Sequence, residues 1–337
     1  MSKHRAAQVK SAGGPIEVVE VQTSPPPPGH VRIAVKACGV CGTDHAFVNG
    51  GFPNLNWPIT PGHEMAGTIA ELGSGVEGFA VGDRVAVGWF GGNCNHCEQC
   101  RRGQFMQCAN GQVPTWHYPG GYAESATVPV AALARIPQGL SFAEAGPMGC
   151  AGVTTFNALR RSRARGGDRV AILGVGGLGH VGIQLARAMG FETIAIARGA
   201  DKASDAEDFG AHHYIDSTAG DVGAALQALG GAQVVLATAA NSAAMAATAT
   251  GLAPEGELVI IGATVDPMEL VPLGLIMGGQ RVVGHPSGTA ADIEDTMNFA
   301  VLSGVRARIQ EMPLAEAADA YATMDEGRAR YRVVLTM

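Results

Sequence analysis

The chain has 337 residues, 47% apolar and 16% charged, with a formal net charge of −7. That length suits two domains with packed cores, no Lys/Arg-rich block offers a nucleic-acid surface, and no run of about 18 apolar residues offers a membrane span. The polar, basic residues 1–10 lead into no apolar stretch, so no signal peptide and a cytoplasmic location are expected.

Along the chain, the first third reads as short strands broken by Gly, Pro and Asn. Residues 31–37 (VRIAVKA) alternate at period two, and 67–72 and 83–87 are further apolar pieces beside glycines. This predicts a compact, mostly β domain with functional loops. The prolines at 25–28 form a stiff turn, too short to link domains. From about residue 150 the texture changes. Residues 169–173 (RVAIL) read as a buried strand, a glycine cluster follows, and 180–189 have helical spacing. Strand 192–197, helix 203–209, strand 213–215 and the segments 222–229, 233–238, 242–251 and 258–261 continue the alternation. Alternating strands and helices predict parallel βαβ units in a doubly wound sheet. The tail reads as a helix over 293–303 and a closing strand over 332–335.

Four of the seven cysteines fall within fifteen positions: Cys94, Cys97, Cys100 and Cys108, spaced C-x2-C-x2-C-x7-C. In a reducing compartment this favours metal over disulfides. Four thiolates close a tetrahedral zinc shell with no vacancy, so the expected role is structural, pinning a loop with little core of its own.

The turn Gly174-Val175-Gly176-Gly177-Leu178-Gly179 follows a predicted strand and opens a predicted helix. That is the context a dinucleotide-binding fingerprint requires: Gly174, Gly176, Gly177, Leu178 and Gly179 would bring a helix N-terminus to a pyrophosphate. The next strand ends at Ala197 and continues with Arg198, where an NAD-preferring site would carry an acid. A guanidinium there welcomes a 2′-phosphate, so the balance favours NADP over NAD.

Three further candidates are scattered: Cys41 in Cys38-Gly39-Val40-Cys41-Gly42-Thr43-Asp44, His63 in Gly62-His63-Glu64, and Cys150 in Gly149-Cys150-Ala151-Gly152. No spacing proves that they meet, and His63 alone reads more readily as a structural histidine than as a ligand. Together with Gly67, Gly73 and Val76 after Gly62-His63-Glu64, the segment 82–85 (GDRV), the cysteine cluster, the glycine turn and the closing 331–334 (YRVV), however, the chain resembles the medium-chain, zinc-containing alcohol dehydrogenases. The resemblance covers essentially the whole chain and is strongest to the yeast-like and bacterial branch.

The resemblance implies an α/β protein with a GroES-like, β-rich catalytic domain (1–149 and 290–337) and a Rossmann domain (150–289). It implies a catalytic zinc on Cys41, His63 and Cys150, with a vacant fourth position, and so two zinc ions per subunit. Cys150, where polyol-type relatives carry an acid, points to simple alcohols. Glu64 would visit the metal or support it from outside, and Asp44 would fix the tautomer of His63. Thr43 would take the substrate proton and pass it to the nicotinamide ribose. Relatives often end this relay with a histidine where this chain has Ala46; His45, one place earlier, points about 100° away on a helix. Arg332 would meet the pyrophosphate. Trp57 and Trp89 would narrow the pocket for short or slim substrates, with Trp116 as a candidate rim residue, and Cys38 would pack as a small buried hydrophobe. The implied activity is reversible hydride transfer between a small alcohol or aldehyde and NAD(P), in a homotetramer or dimer. The rivals are a zinc-free quinone or enoyl reductase, which would lack this ligand set, and a non-catalytic zinc- and nucleotide-binding homologue, which would have no need of Thr43.

Overall fold

The computed structural model describes residues 2–337. The chain divides into two compact units, one of residues 1–153, 287–302 and 307–337, the other of residues 154–286 and 303–306.

The first unit is built on a seven-stranded sheet. Its long central strand, His30–Val40, pairs antiparallel with Met65–Leu72, with Arg332–Thr336 and, along its first half, with Ser125–Pro129. Ile309–Pro313 extends one side of the sheet, parallel to Arg332–Thr336, and Arg84–Val87 and Ala134–Arg135 extend the other. Val31, Ile33 and Val35 alternate into the core with half-buried neighbours, as a strand with one covered face should. The alternation then lapses. A register shift between Val35 and Ala37 leaves Lys36 exposed, and the residues from Ala37 to Val40 are all buried. A bulge of this kind re-aims the end of a strand; here it drives the chain inward, so that Cys41 follows inside the protein and not at its surface.

The second unit is a six-stranded, all-parallel sheet in the order His213–Asp216, Glu192–Ala197, Arg169–Leu173, Ala232–Ala237, Leu252–Ile260, Arg281–Gly284. Numbered by chain position within the unit this is 3-2-1-4-5-6, the doubly wound Rossmann arrangement. The central strands are buried on both faces, which is why 169–173 reads as an unbroken apolar run and not as an alternation. The order reverses between Arg169–Leu173 and Ala232–Ala237, and the glycine turn begins at the carboxyl end of the former, where such sheets bind ligands.

The α/β class with a β-rich and a doubly wound part is therefore observed as expected, with local revisions. The strand expected at 258–261 runs over Leu252–Ile260, across Pro254 and a left-handed Glu255 (φ 58°), residues that read as a break. The hairpin Lys3–Val9/Ile16–Gln22 and the helix Ala317–Asp325 are additions to the expected elements. The hairpin strand Ile16–Gln22 is largely exposed and so carries little apolar pattern. Among the described residues, no helix is long and apolar enough to cross a membrane.

Candidate metal and cofactor sites

Three separate elements of the first unit deliver side chains to one point. Cys41 sits at the N-terminus of the helix Gly42–Val48, directly after the inward-driven strand. His63 and Glu64 immediately precede Met65–Leu72, which is held beside that strand. Cys150 lies on a single π-helical turn, Met148–Gly152, between the helices Phe142–Pro147 and Val153–Arg160. The first of these helices starts at a capping box: Ser141 Oγ accepts from Glu144 N (3.1 Å) while a Glu144 carboxylate oxygen accepts from Ser141 N (2.8 Å). The S-x-x-E signature at 141–144 is a sequence signal that could have placed this helix start.

The Sγ atoms of Cys41 and Cys150 are 3.9 Å apart, and one ligand atom from each of Cys41, His63, Glu64 and Cys150 lies within 4.8 Å of every other. Two thiolates on one tetrahedral zinc, with Zn–S bonds of about 2.3 Å, would stand about 3.8 Å apart. His63 is fully buried, its Nδ1 bonds Asp44 Oδ1 (3.1 Å), and its Nε2 has no hydrogen-bond partner. A buried imidazole nitrogen without a partner is costly in a folded protein. Here it is aimed into a cluster of soft donors, so the residues fit a zinc ion.

The electrostatics show a site short of positive charge. Burial works against a charge on His63, but the Asp44 carboxylate and Cys41 outweigh it and hold the imidazole pKa well above its usual value. A hydrogen bond with Cys150 holds the Cys41 thiol well below its ordinary range, and the same contact pushes Cys150 well above. Two thiols and an imidazole are thus sharing protons that a cation would displace. Burial pushes the Glu64 carboxyl up to about 7 against the pull of Arg332.

Arg332 is only 4% exposed; its Nη2 is engaged by both carboxylate oxygens of Glu64, while its Nε has no hydrogen-bond partner. The reason is physical: a guanidinium in the interior needs a counter-charge, and the fully buried Glu64 supplies it. Thr43 lies beside the candidate ligands, its Oγ1 3.8 Å from Cys41 Sγ. His45 faces solvent with its Nδ1 on Asp325 Oδ1 (2.6 Å). Cys38 is fully buried against Gly39 O.

Trp89 packs edge-on to His63, with centroids 5.5 Å apart, and Trp57, Phe47, Phe52 and Trp116 join the same aromatic cluster. Phe52 stacks on Phe47 (4.2 Å) and tilts against Trp116 (4.9 Å). Phe47 and Phe52 lie outside the sequence-derived candidates, which are tryptophans alone.

The second cysteine group also converges. One thiol sulfur from each of Cys94, Cys97, Cys100 and Cys108 lies within 4.8 Å of the others, with Cys94–Cys108 at 3.5 Å and Cys97–Cys108 at 3.8 Å. Backbone N–H groups of Cys94 and Cys100 point at Cys108 Sγ (3.4 Å) and Cys97 Sγ (3.5 Å), which favours thiolates. Hydrogen bonds, the first from Asn110, lower the Cys94 thiol to about 5. With no vacancy in the group, the donor set fits a closed structural zinc.

In the second unit the glycine turn is shaped by contact. A Cβ on Gly179 would fall 1.7 Å from Gly174 O, and Gly174 itself has φ +100°. The helix Gly179–Ala188 starts with no side-chain cap, and within its first turn the His180 N–H turns back to Gly176 O (3.0 Å). Arg198 is exposed beyond the end of strand Glu192–Ala197, and the loop after it is tied down by Tyr214 Oη on Gly199 O (2.6 Å) and Gly199 N on Asp216 Oδ1 (2.7 Å). Lys202, which carries no motif signal, reaches back to donate to Val175 O in the glycine turn (2.7 Å).

Comparison with known proteins agrees with this picture. Residues 27–138 match the family description "Alcohol dehydrogenase GroES-like domain" and residues 177–301 match "Zinc-binding dehydrogenase". The chain is 39% identical, over 100% of its length and 98% of the relative's, to alcohol dehydrogenase patD of Penicillium expansum. It is 31% identical to aldehyde reductase AdhA of a Synechocystis strain, over 98% of both chains. Among solved structures, a cobalt- and zinc-bound thermostable alcohol dehydrogenase from Pyrobaculum aerophilum is 27% identical with a TM-score of 0.88, covering 100% of each chain.

Proposed function

Because the chain belongs to the medium-chain, zinc-containing alcohol dehydrogenase family, an oxidoreductase family acting on alcohols, we propose that it interconverts a short or slim alcohol and its aldehyde, with zinc on Cys41, His63 and Cys150 and with NADP preferred over NAD. The observation that carries this reading is the unpartnered, fully buried His63 Nε2 facing two thiols whose sulfurs are 3.9 Å apart. Zinc held there supplies a Lewis acid that eases loss of the alcohol's proton near neutral pH.

The chain's own groups account for the rest. Asp44 holds His63 Nδ1–H, so that Nε2 is the nitrogen presented to the metal. Thr43 Oγ1, beside Cys41, is placed to take the substrate proton. His45 is turned to Asp325, so we assign the far end of the relay to solvent and not to this side chain. Trp57 and Trp89 narrow the aromatic wall beside His63 and favour slim substrates by exclusion. Glu64, paired with Arg332, supplies a carboxylate within reach of the ligand set. In the second unit, the glycine turn and the uncapped start of Gly179–Ala188 hold the pyrophosphate. Strand Glu192–Ala197 ends without an acid, and Asp216 is already occupied by Gly199 N and Thr218, which supports NADP with Arg198 on its 2′-phosphate. The four-cysteine loop holds a second, structural zinc.

The test is a panel of short aldehydes with NADPH and with NADH, followed by cofactor absorbance. Turnover that is abolished by a zinc chelator and faster with NADPH is expected. Tight cofactor binding with no turnover on any aldehyde or alcohol would contradict the reading.

A further inference from the structure

Asp44 is 0% exposed, and its carboxylate has three hydrogen-bond partners. Oδ1 faces His63 Nδ1 (3.1 Å) and Oδ2 accepts from the backbone N–H of Cys41 (2.9 Å). The third partner is the hydroxyl of Tyr122, on Oδ2 at 2.9 Å. Tyr122 is itself fully buried, and it lies 78 residues further along the chain.

The tyrosine is fixed from every side. Its N–H donates to Pro61 O (2.9 Å), its carbonyl accepts from Ala7 N (2.7 Å), and Gly121 N donates to Gly62 O (2.8 Å). A Cβ on Gly62 would lie 2.5 Å from Tyr122 Cδ1, so the ring packs on the backbone immediately before His63; Gly62 also has φ +107°. One side chain therefore touches the ligand-bearing segment 61–63 with its ring and the partner of that ligand with its hydroxyl.

We propose that Tyr122 is a positioning residue for the metal site, acting through Asp44 on the tautomer and direction of His63. With both the Cys41 N–H and the Tyr122 hydroxyl on Oδ2, the carboxylate cannot rotate without giving up hydrogen bonds, and Oδ1 is left for His63 alone. With Oδ2 taken by two donors, Oδ1 stands as the acceptor for His63 Nδ1–H, which leaves Nε2 for metal. Burial keeps the Tyr122 hydroxyl protonated far above neutral pH, so it acts as a donor throughout the working range. A plain core tyrosine would need only some acceptor. This one bonds the single carboxylate that orients a ligand, while its ring is seated on the segment carrying that ligand.

The inference rests on the reading of Cys41, His63 and Cys150 as a zinc site, and its test separates the two. Zinc release from the full-length protein is measured by chelator competition for the parent, Tyr122→Phe, Asp44→Asn and the double variant, with the four-cysteine site in the same chain as internal reference. Tyr122→Phe should release zinc from the three-ligand site about tenfold more readily, the low end for loss of a group supporting a ligand. It should leave the four-cysteine site unchanged, and it should add nothing in the Asp44→Asn background. Two zinc ions in the parent with an unchanged release profile in Tyr122→Phe overturns the inference alone; a single zinc in the parent overturns the underlying reading as well. Should Tyr122→Phe not fold, the parent labelled with 3-fluorotyrosine answers the same question. Of its five tyrosines, substitution of the other four in turn assigns Tyr122. Its fluorine resonance should move when the three-ligand site alone is emptied, and a stationary resonance refutes the coupling.

Discussion

Arg198 stands where a carboxylate would select NAD, exposed past the end of a strand whose loop is pinned by Tyr214 and Asp216. A charge-assisted contact to a 2′-phosphate contributes about 1.5–3 kcal/mol, so Arg198→Ala should lower kcat/KM for NADPH by about tenfold to a hundredfold and change NADH little. Steady-state kinetics with both cofactors checks this, and an equal loss for both would remove Arg198 from the 2′-phosphate site. The pair Glu64–Arg332 is a different kind of residue-scale feature. Both partners are buried, at 0% and 4% exposure, so truncating one leaves a lone charge in the interior. Arg332→Met should cost about 3–5 kcal/mol in denaturant unfolding, whereas a solvated arginine at that position would cost almost nothing. This pairing is not legible in the sequence, because Glu64 and Arg332 are 268 positions apart and no local pattern links them. Trp89 beside His63 is similar: the sequence offers a tryptophan, and only the fold puts its ring centroid 5.5 Å from that of the imidazole.

Elements are legible where their burial is simple. The run 169–173 and the strand 192–197 can be bounded to the residue, because parallel strands covered on both faces show as apolar runs closed by glycines. The strand Leu252–Ile260 is only half visible because Pro254 and Gly256 interrupt it, and the hairpin strand Ile16–Gln22 is hidden because it has no continuous buried face. The π-helical turn at Met148–Gly152 has no sequence signature, yet it carries Cys150 to the site. The cysteine loop is readable from spacing alone, and it has little else to hold it: the helix Glu98–Arg101 has four residues, and Phe105–Gln107 is a single 3₁₀ turn with no buried residue. Its order should therefore depend on metal. Cys97→Ser should make the segment 94–108 protease-sensitive and lower the thermal midpoint, with the core of the second unit still protected in hydrogen exchange. A loop that resists cleavage without its zinc would mean that packing alone suffices.

At the scale of the whole molecule, the chemistry is divided between two compact units, one gathering Cys41, His63, Glu64 and Cys150, the other presenting the glycine turn and Arg198. The division itself shows in the change of texture near residue 150, where short interrupted strands give way to βα alternation. What no texture shows is that side chains from positions 41, 63 and 150 share one point; that requires the inward turn of His30–Val40 and its pairing with Met65–Leu72. Every catalytic role proposed for these residues depends on a metal at that point, distinct from one held by the cysteine loop. Zinc counted per chain by elemental analysis of the native protein tests this most directly, with Cys150→Ser as comparison. Two zinc ions in the parent, and one together with lost turnover in Cys150→Ser, are expected. A single zinc in the parent, unchanged by Cys150→Ser, would leave the proposed chemistry without its Lewis acid and contradict it.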